Sequence, residues 1–325
     1  MKACRKDKRL AWLLAVIMGS GISYGAATAQ TYPSHTITLI VPFPAGGPTD
    51  AVARIVASKL QQSMGAPTIV DNRPGAGAII GTQLGAKAKK DGYTLLLTTS
   101  IVLNLVFNKN LEYKLDDFVP ISTLAINPML LAVRPDLPVN SVQELVAYAK
   151  GRPGKFTAGI IGNTGAYLLM MGSLREQTGI EPVNVSYRGS VDALRDLIGG
   201  QIDMFFTDPI TALPQQKAGR IKILASAFRT PIEGLDVPFL DDLGIHIESG
   251  SILTGLYAPA GTPQAIVGRL NDETVKIVAS KEYQDFVKTT GTVPASSKSS
   301  QFAEEQRKSM TEWSAMKDRL KIELP

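Results

Sequence analysis

The feature that most constrains the fold of this chain is the alternation of short β-rich runs with helical patterns. The series begins with "ITLIV" and continues with a helix over "TDAVARIVASKLQQSM", a strand over "PTIVDN", a helix over "AIIGTQLGAKAKK" and a strand over "YTLLLTT". Aliphatic and β-branched runs bounded by turn residues predict strands, and apolar residues spaced three and four apart predict helices. This βαβαβ order predicts an α/β fold with mostly parallel strands.

A second series follows the extended run "ISTLAINPMLLAV". It contains helices over "SVQELVAYAK", "AYLLMMGSLREQTG" and "SVDALRDLIGG", strands over "FTAGII", "VNVSY" and "IDMFFT", and a last strand over "IKILASA". From Ala258 onward the pattern predicts successive helices, with no room for a sheet, that pack back on the first series. We therefore expect two lobes that the chain connects near Asn127 and near Phe228. Residues 30–127 and 229–325 would form one lobe, and residues 128–228 the other.

Residues 1–29 have the pattern of an export signal. A basic stretch precedes an apolar run from Leu10 to Met18, and Ala27 and Ala29 occupy the positions of a small-residue cleavage site. The apolar run is shorter than the roughly 20 residues that span a bilayer. We expect cleavage before Gln30 and a periplasmic protein. Because this segment also carries most of the net charge of +5, the alkaline pI does not indicate nucleic-acid binding.

The chain offers few residues for catalysis or metal binding. His35 and His246 are its only histidines, Cys4 is its only cysteine, and neither G-x-S-x-G nor H-E-x-x-H occurs. The glycines of "RPGAGAIIG" are spaced one residue wider than a dinucleotide fingerprint and follow the second strand instead of the first. We therefore expect no catalytic residues, no metal and no cofactor.

The turn "VPFPAGGPTD" joins the first strand to the first helix. Gly46 and Gly47 would let a ligand approach the backbone, and the free N–H groups of a helix start attract anions. The same residues also suit a simple helix start, since Pro48 fits the first helical position and Asp50 can pair with Arg54 one turn later. The two interpretations are compatible, and the sequence does not choose between them.

A second turn, "GIIGNTGAY", has a similar character. Gly162 and Gly165 flank Asn163 and Thr164, whose small polar side chains can hydrogen-bond a ligand. At the carboxyl end of a strand in the other lobe, this turn would face the first one across a crevice, where open α/β sheets bind ligands. A turn stabilised by Asn and Thr without any ligand is the alternative.

Seven segments in order resemble the signatures of the Bug proteins, the periplasmic solute-binding components of tripartite tricarboxylate transporters. They are "VPFPAGGPTDAVAR", "VDNRPGAGAIIGTQLGAKAKKDGYTLL", "FVPISTL", "ELVAYAKGRPGKF", "SYRGSVDALRDLIGGQIDMFF", "LPQQKAGRIKILA" and "YAPAGTPQAIVGRLN". Together they cover nearly all of the chain after residue 30. The resemblance implies a two-lobed, type II-like Venus-flytrap protein with its ligand cleft between the lobes.

The resemblance also implies a function and a set of ligand-binding residues. Bug proteins close on a small carboxylated ligand, hold it largely through backbone and small polar groups, and deliver it to a membrane permease. The positions so implied are Phe43, Pro44, Ala45, Gly46, Gly47, Thr49, Asp50, Ser100, Asn104, Gly162, Asn163, Thr164, Gly165, Thr207 and Asp208.

Several residues depart from the pattern of the family. The segment that usually reads Ser-His-Ala-Asn is "TSIVLNLVF" here, and Tyr167 and Leu168 stand where a histidine is common. Thr207 and Asp208 replace an Asp-Asn pair, and Leu253 replaces a frequent tryptophan. These changes predict a more apolar pocket, which favours an organic or aromatic acid over an amino acid.

The sequence thus predicts a monomeric binding protein without catalytic activity. Two alternatives stay open: a ligand sensor whose closed form acts on a receptor, and an envelope enzyme on the same fold. The enzyme is disfavoured because the predicted crevice offers Asp50 and Asp208 without a histidine partner.

Overall fold

The computed structural model describes residues 32–99, 101–161, 165–247 and 250–322. The expected export signal therefore lies outside the described residues. The strands are β1 (Ile37–Val41), β2 (Thr68–Asn72), β3 (Thr94–Thr98), β4 (Phe118–Pro128), β5 (Leu130–Val133), β6 (Thr157–Ile161), β7 (Val183–Tyr187), β8 (Met204–Thr207), β9 (Lys222–Ser226), β10 (Ser251–Pro259) and β11 (Val293–Pro294).

The helices are α1 (Pro48–Met64), α2 (Ile79–Ala86), α3 (Ile101–Phe107), α4 (Val142–Lys150), α5 (Ala166–Thr178), α6 (Ser190–Ile198), α7 (Pro209–Lys217), α8 (Gln264–Ala279), α9 (Lys281–Thr290) and α10 (Ser299–Arg319). Short 3₁₀ turns cover Leu115–Asp117 and Leu240–Leu243. Within the described part of the chain, no helix has the length and apolar character of a membrane span.

The strands form two sheets, one for each predicted lobe. The first has the order β11-β4-β10-β3-β1-β2 and the second the order β7-β6-β8-β5-β9. Both are mixed. Parallel pairing joins β2, β1 and β3 in the first sheet and β7, β6 and β8 in the second, whereas β4, β5, β9 and β10 pair antiparallel. The prediction of mostly parallel strands was correct only for the βαβ portions, because strands next to the lobe crossings run the other way.

The predicted extended run after residue 120 is divided between the sheets. Its first part is β4 of the first sheet, its last part is β5 of the second, and Met129 lies fully buried between them. The Met129 N–H donates to Gly250 O at 2.9 Å, and its carbonyl accepts from Ala227 N at 2.7 Å. A Cβ at Gly250 would come within 1.9 Å of Ala227 O, so only glycine fits where these segments cross.

The chain returns to the first sheet later than the predicted crossing near Phe228. Leu240, Ile245 and Ile247 pack in the same apolar core as the second-sheet strands, and Phe239 bridges to Ser226 at the end of β9. Pairing with β4 resumes only at β10. This segment carries few strand-forming residues, and only its buried apolar side chains show where it belongs.

The C-terminal helices pack on the first lobe as expected, with two additions. Leu270, Ile277 and Val278 of α8 join the core around β1 and α1. The dipeptide strand β11 pairs with β4, in a region where no strand was predicted. Helix α10 extends across both lobes, because its start packs on the first sheet while Leu320, just beyond its end, contacts Gly172 of α5.

Candidate ligand-binding site

The β1–α1 turn forms one wall of the site, and a buried acid holds its shape. The Oδ2 atom of Asp50 accepts hydrogen bonds from Gly46 N at 2.9 Å and from Arg54 Nε at 2.8 Å, while Oδ1 accepts from Asn72 Nδ2 at 3.0 Å. Asn72 also donates to Phe43 O at 3.1 Å, which ties the turn to β2. Burial by itself raises the pKa of Asp50, but the hydrogen bonds and the charge of Arg54 outweigh it, so the pKa lies below its ordinary value.

This wall presents free backbone donors to the space beside it. Pro48 has no N–H, and Ala51 N is the first group in α1 to find a helical acceptor, Gly47 O. The N–H groups of Thr49 and Asp50 therefore have no earlier carbonyl in the helix to bond. They lie at the positive end of the helix dipole, where an anion is stabilised.

The opposite wall begins at the β7–α6 turn, which belongs to the second lobe. Gly189 precedes α6 with an extended backbone, and no side chain caps the first N–H groups of the helix. A Cβ added at Gly189 would lie 3.3 Å from Pro44 Cγ and Cδ, and one added at Gly47 would lie 3.9 Å from Ser190 Oγ. The two turns are therefore in contact, and two helix N-termini meet across the interface of the lobes.

A cavity of about 280 Å³ lies between these walls. Its lining consists of Phe43, Pro44, Ala45, Gly47, Pro48, Thr49, Thr99, Asn127, Met129, Ile161, Tyr167, Gly189, Ser190, Val191, Asp192, Asp208 and Ile252. Most of these side chains are apolar, and the described lining contains no lysine, arginine or histidine. A bound anion would be held by backbone and hydroxyl groups instead of by a salt bridge.

An aromatic pair forms the floor of the cavity in the second lobe. The ring of Tyr167 stacks on that of Phe205, with centroids 5.8 Å apart and planes 4° from parallel. Burial, and to a smaller degree the charge of Asp208, raise the pKa of the Tyr167 phenol, so it keeps its proton. No described residue accepts a hydrogen bond from this hydroxyl. The floor therefore combines a flat apolar face with one polar donor.

Asp208 is the buried acid of the second wall. It caps α7: its Oδ1 accepts from Thr211 N and its Oδ2 from Thr211 Oγ1, both at 2.9 Å. Only 2% of the residue is exposed. Burial raises the pKa of the Asp208 carboxyl, although the hydrogen bonds from Thr211 and Ser190 oppose that shift. No cationic side chain pairs with it in the described part of the chain.

The structure brings some of the residues expected from the sequence to the cavity and not others. Six line it: Phe43, Pro44, Ala45, Gly47, Thr49 and Asp208. Five described ones do not: Gly46, Asp50, Asn104, Gly165 and Thr207. Ser100, Gly162, Asn163 and Thr164 lie outside the described residues.

The five described residues that do not line the cavity have surroundings that explain their positions. Gly46 and Asp50 bond each other inside the turn, and Thr207 is fully buried beside Thr211, with 3.2 Å between their hydroxyl oxygens. Asn104 is buried in α3, next to the phenol of Tyr113. Gly165 precedes α5 with φ near 91°, and a Cβ there would meet Leu103 at 3.4 Å.

Sequence reasoning missed the β7–α6 turn, which lines the cavity through Gly189, Ser190, Val191 and Asp192. Its segment, "SYRGSVDAL", has the same order of strand, glycine and helix as the β1–α1 turn. That signal was available but was used only for the family resemblance. The wall residue expected at Leu253 is also displaced, because Leu253 packs beside the cluster around Tyr257 and Phe302, and Ile252 faces the cavity instead.

Metal binding finds no support in the described ranges, where no group of three or more His, Cys, Asp or Glu side chains could hold an ion.

Comparisons with known proteins agree with this architecture. The family model described as tripartite tricarboxylate transporter family receptor matches residues 52–321. The protein BugT of Bordetella pertussis is 34% identical over 295 residues, which cover 88% of this chain and 89% of BugT. Among solved structures, the periplasmic binding protein BugD superposes with a TM-score of 0.84 at 29% identity, covering 90% of this chain and 99% of that one. The R. palustris protein Rpa4515, solved with adipate, gives 0.86 at 28% identity, with coverage of 90% and 99%.

Proposed function

Because this chain belongs to the receptor family of tripartite tricarboxylate transporters, whose members are solute-binding proteins, we propose that it captures a small organic or aromatic acid by closing its two lobes. It then presents the closed complex to the permease subunits of its transporter. The protein acts in the periplasm, as a monomer, without catalytic activity. Carboxylate binding by a close structural neighbour, the adipate complex of Rpa4515, supports the ligand class.

The observation that carries this proposal is the meeting of two helix N-termini at one cavity. The first-turn N–H groups of α1 and α6 come from different lobes, yet their turns touch at Pro44 and Gly189. An anion bound between them interacts with both lobes at once, so it stabilises the closed form over an open one. The ligand therefore supplies the free energy that holds the cleft shut.

The apolar part of the cavity determines which chemical groups the rest of the ligand can carry. Phe43, Met129, Ile161, Ile252 and the ring of Tyr167 surround the space beyond the helix N-termini. Burying apolar surface there contributes about 25 cal/mol per Å² removed from water. An ammonium group would have to leave water for a largely apolar space, which disfavours amino acids.

Substitution of Gly189 tests closure separately from folding. Gly189→Val keeps an extended backbone that valine tolerates, but its side chain occupies the space that Pro44 fills in this structure. Overpacking of this kind costs about 1–3 kcal/mol, which corresponds to a loss of affinity of roughly fivefold to 150-fold. The cost arises only when the lobes meet, so the free energy of unfolding without ligand is expected to stay unchanged.

The measurement is the Kd for the tightest acid in a calorimetric panel of mono-, di- and tricarboxylates. Gly268→Ala is the matched control, because the space around Gly268 in α8 is open and far from the cleft. Weaker binding by Gly189→Val alone supports closure on the ligand. Unchanged affinity in Gly189→Val, or no binding of any carboxylate by the wild type, would contradict the proposed function.

A further inference from the structure

The charges at the cavity are one-sided. Asp192 and Asp208 line it, and no lysine, arginine or histidine does so among the described residues. Within the described lining, backbone groups are therefore the source of positive potential.

Much of that backbone potential comes from the starts of α1 and α6, which carry no side-chain cap and meet across the lobes. A helix N-terminus carries the equivalent of about half an elementary charge, so α1 and α6 together offset roughly one negative charge. The third helix start at the cavity, that of α7, is not available, because the carboxylate of Asp208 caps it through Thr211 N and Thr211 Oγ1. The starts of α1 and α6 therefore match one ligand carboxylate.

The two acids at the cavity differ in how far solvent screens them. The side chain of Asp192 is 39% exposed and pairs with Arg195 at 3.3 Å, so water and a cation reduce its effect. Asp208 is buried, faces the same space and has no cationic partner in the described chain. A cavity of about 280 Å³ leaves a second ligand carboxylate no position remote from it.

From this geometry, and resting on the proposed function, we infer that Asp208 restricts the site to monocarboxylates. The single carboxylate lies at the starts of α1 and α6, and the other end of the ligand is apolar or carries only a hydrogen-bond donor. A dicarboxylate must place its second charge near Asp208, which has no cationic partner among the described residues. Two like charges roughly 6 Å apart at an effective dielectric constant near 20 weaken binding by about a hundredfold.

Matched pairs of acids test this inference directly. 4-Isopropylbenzoate and terephthalate have nearly the same shape and differ in one charge, as do 6-methylheptanoate and adipate. We expect the wild-type protein to bind the monocarboxylate of at least one pair more tightly, with a Kd ratio of about a hundred. In Asp208→Asn this ratio falls at least tenfold, because the amide is uncharged and offers an N–H to the second carboxylate.

Two further variants keep the test interpretable. Asn caps helices about as well as Asp, so Asp208→Asn is expected to keep the start of α7 intact. If circular dichroism shows that Asp208→Asn does not fold, Asp208→Ser is used in its place, because Ser is also a good helix cap. Asp192→Asn is the matched control: it removes the other acid at the cavity and is expected to change the ratio less than threefold, because Asp192 is already screened.

The possible results separate the two proposals. A wild-type protein that binds the dicarboxylates as tightly as their partners, or an Asp208→Asn variant with an unchanged ratio, overturns the inference but leaves carboxylate capture intact. If none of the four acids binds the wild-type protein, the inference fails, and the proposed function fails with it only if no acid of the calorimetric panel binds either.

Discussion

The two walls of the cavity each hold a buried acid at the start of a helix, and the two acids behave in opposite ways. Asp50, in the first turn of α1, bonds Gly46, Arg54 and Asn72 and does not line the cavity. Asp208, at the cap of α7, bonds Thr211 and lines it. The pKa of Asp50 lies below its ordinary value and that of Asp208 above it.

The difference shows how similar local motifs serve different purposes. From the sequence alone, an acid at a helix start is equally compatible with a helix cap and with a ligand-binding site. The presence of a cation decides between them, because Gly46, Arg54 and Asn72 all bond the Asp50 carboxylate within the turn and direct it away from the cavity. Asp208 lacks such a cation and lines the cavity, so its carboxyl group contacts whatever enters there.

The largest expected effect comes from removing the acid of the first wall. Asp50→Ala removes the hydrogen bonds that the carboxylate accepts from Gly46 N and Asn72 Nδ2, and a hydrogen bond to a charged group contributes about 1.5–3 kcal/mol. We expect urea denaturation to show a loss of about 2 kcal/mol in the free energy of unfolding. Arg54→Met serves as the control and is expected to lose less, because the Arg54 side chain is 58% exposed.

The contrast between the walls would be wrong if Asp50→Ala unfolded at the same urea concentration as the wild type but no longer bound acids. Asp50 would then be a ligand group, and the β1–α1 turn would not depend on it for its shape.

A smaller change in stability, a gain instead of a loss, is expected when the acid of the second wall is replaced. Because the pKa of Asp208 is raised in the folded protein, the unfolded chain releases this proton first, and stability is lost as pH rises from the ordinary aspartate value towards the raised one. Asp208→Asn removes that loss and keeps the cap. We expect the variant to be more stable than the wild type at neutral pH and equally stable below about pH 3.

Thermal unfolding of the wild type and of Asp208→Asn across that pH range shows whether the substitution raises or lowers stability. Asp50 provides the internal reference, since its lowered pKa contributes stability that is present at neutral pH and lost as pH falls. A variant that is less stable than the wild type at neutral pH and equal to it in acid would mean that Asp208 is stabilised as an anion, like Asp50.

The first wall could be predicted from the sequence because all its determinants are local. The glycines, the proline and the acid of "VPFPAGGPTD" occur within one turn, and the strand and helix around them follow their periodicity. The two-lobed α/β fold and the class of function followed from seven ordered segments. The lobe to which residues 229–247 belong did not, because long-range packing of Leu240 and Ile247 decides it.

The second wall depends on contacts that no local pattern specifies. The second lobe has glycine-containing turns after both β6 and β7, and the orientation of the lobes determines that Gly189 meets Pro44. Within the pair Thr207-Asp208, the end of β8 directs one side chain into the core and the next towards the cavity. Tyr167 was recognised as a departure from the family, but its stacking on Phe205 required the fold.

The central claim is that one ligand carboxylate bridges the starts of α1 and α6. A crystal structure with the tightest-binding acid of the panel tests it most directly. We predict that the carboxylate oxygens lie within about 3.2 Å of first-turn N–H groups of both helices, such as those of Thr49 and Ser190, with Pro44 against Gly189. A carboxylate bound elsewhere in the cavity, or at one helix start with the two turns apart, would contradict the account.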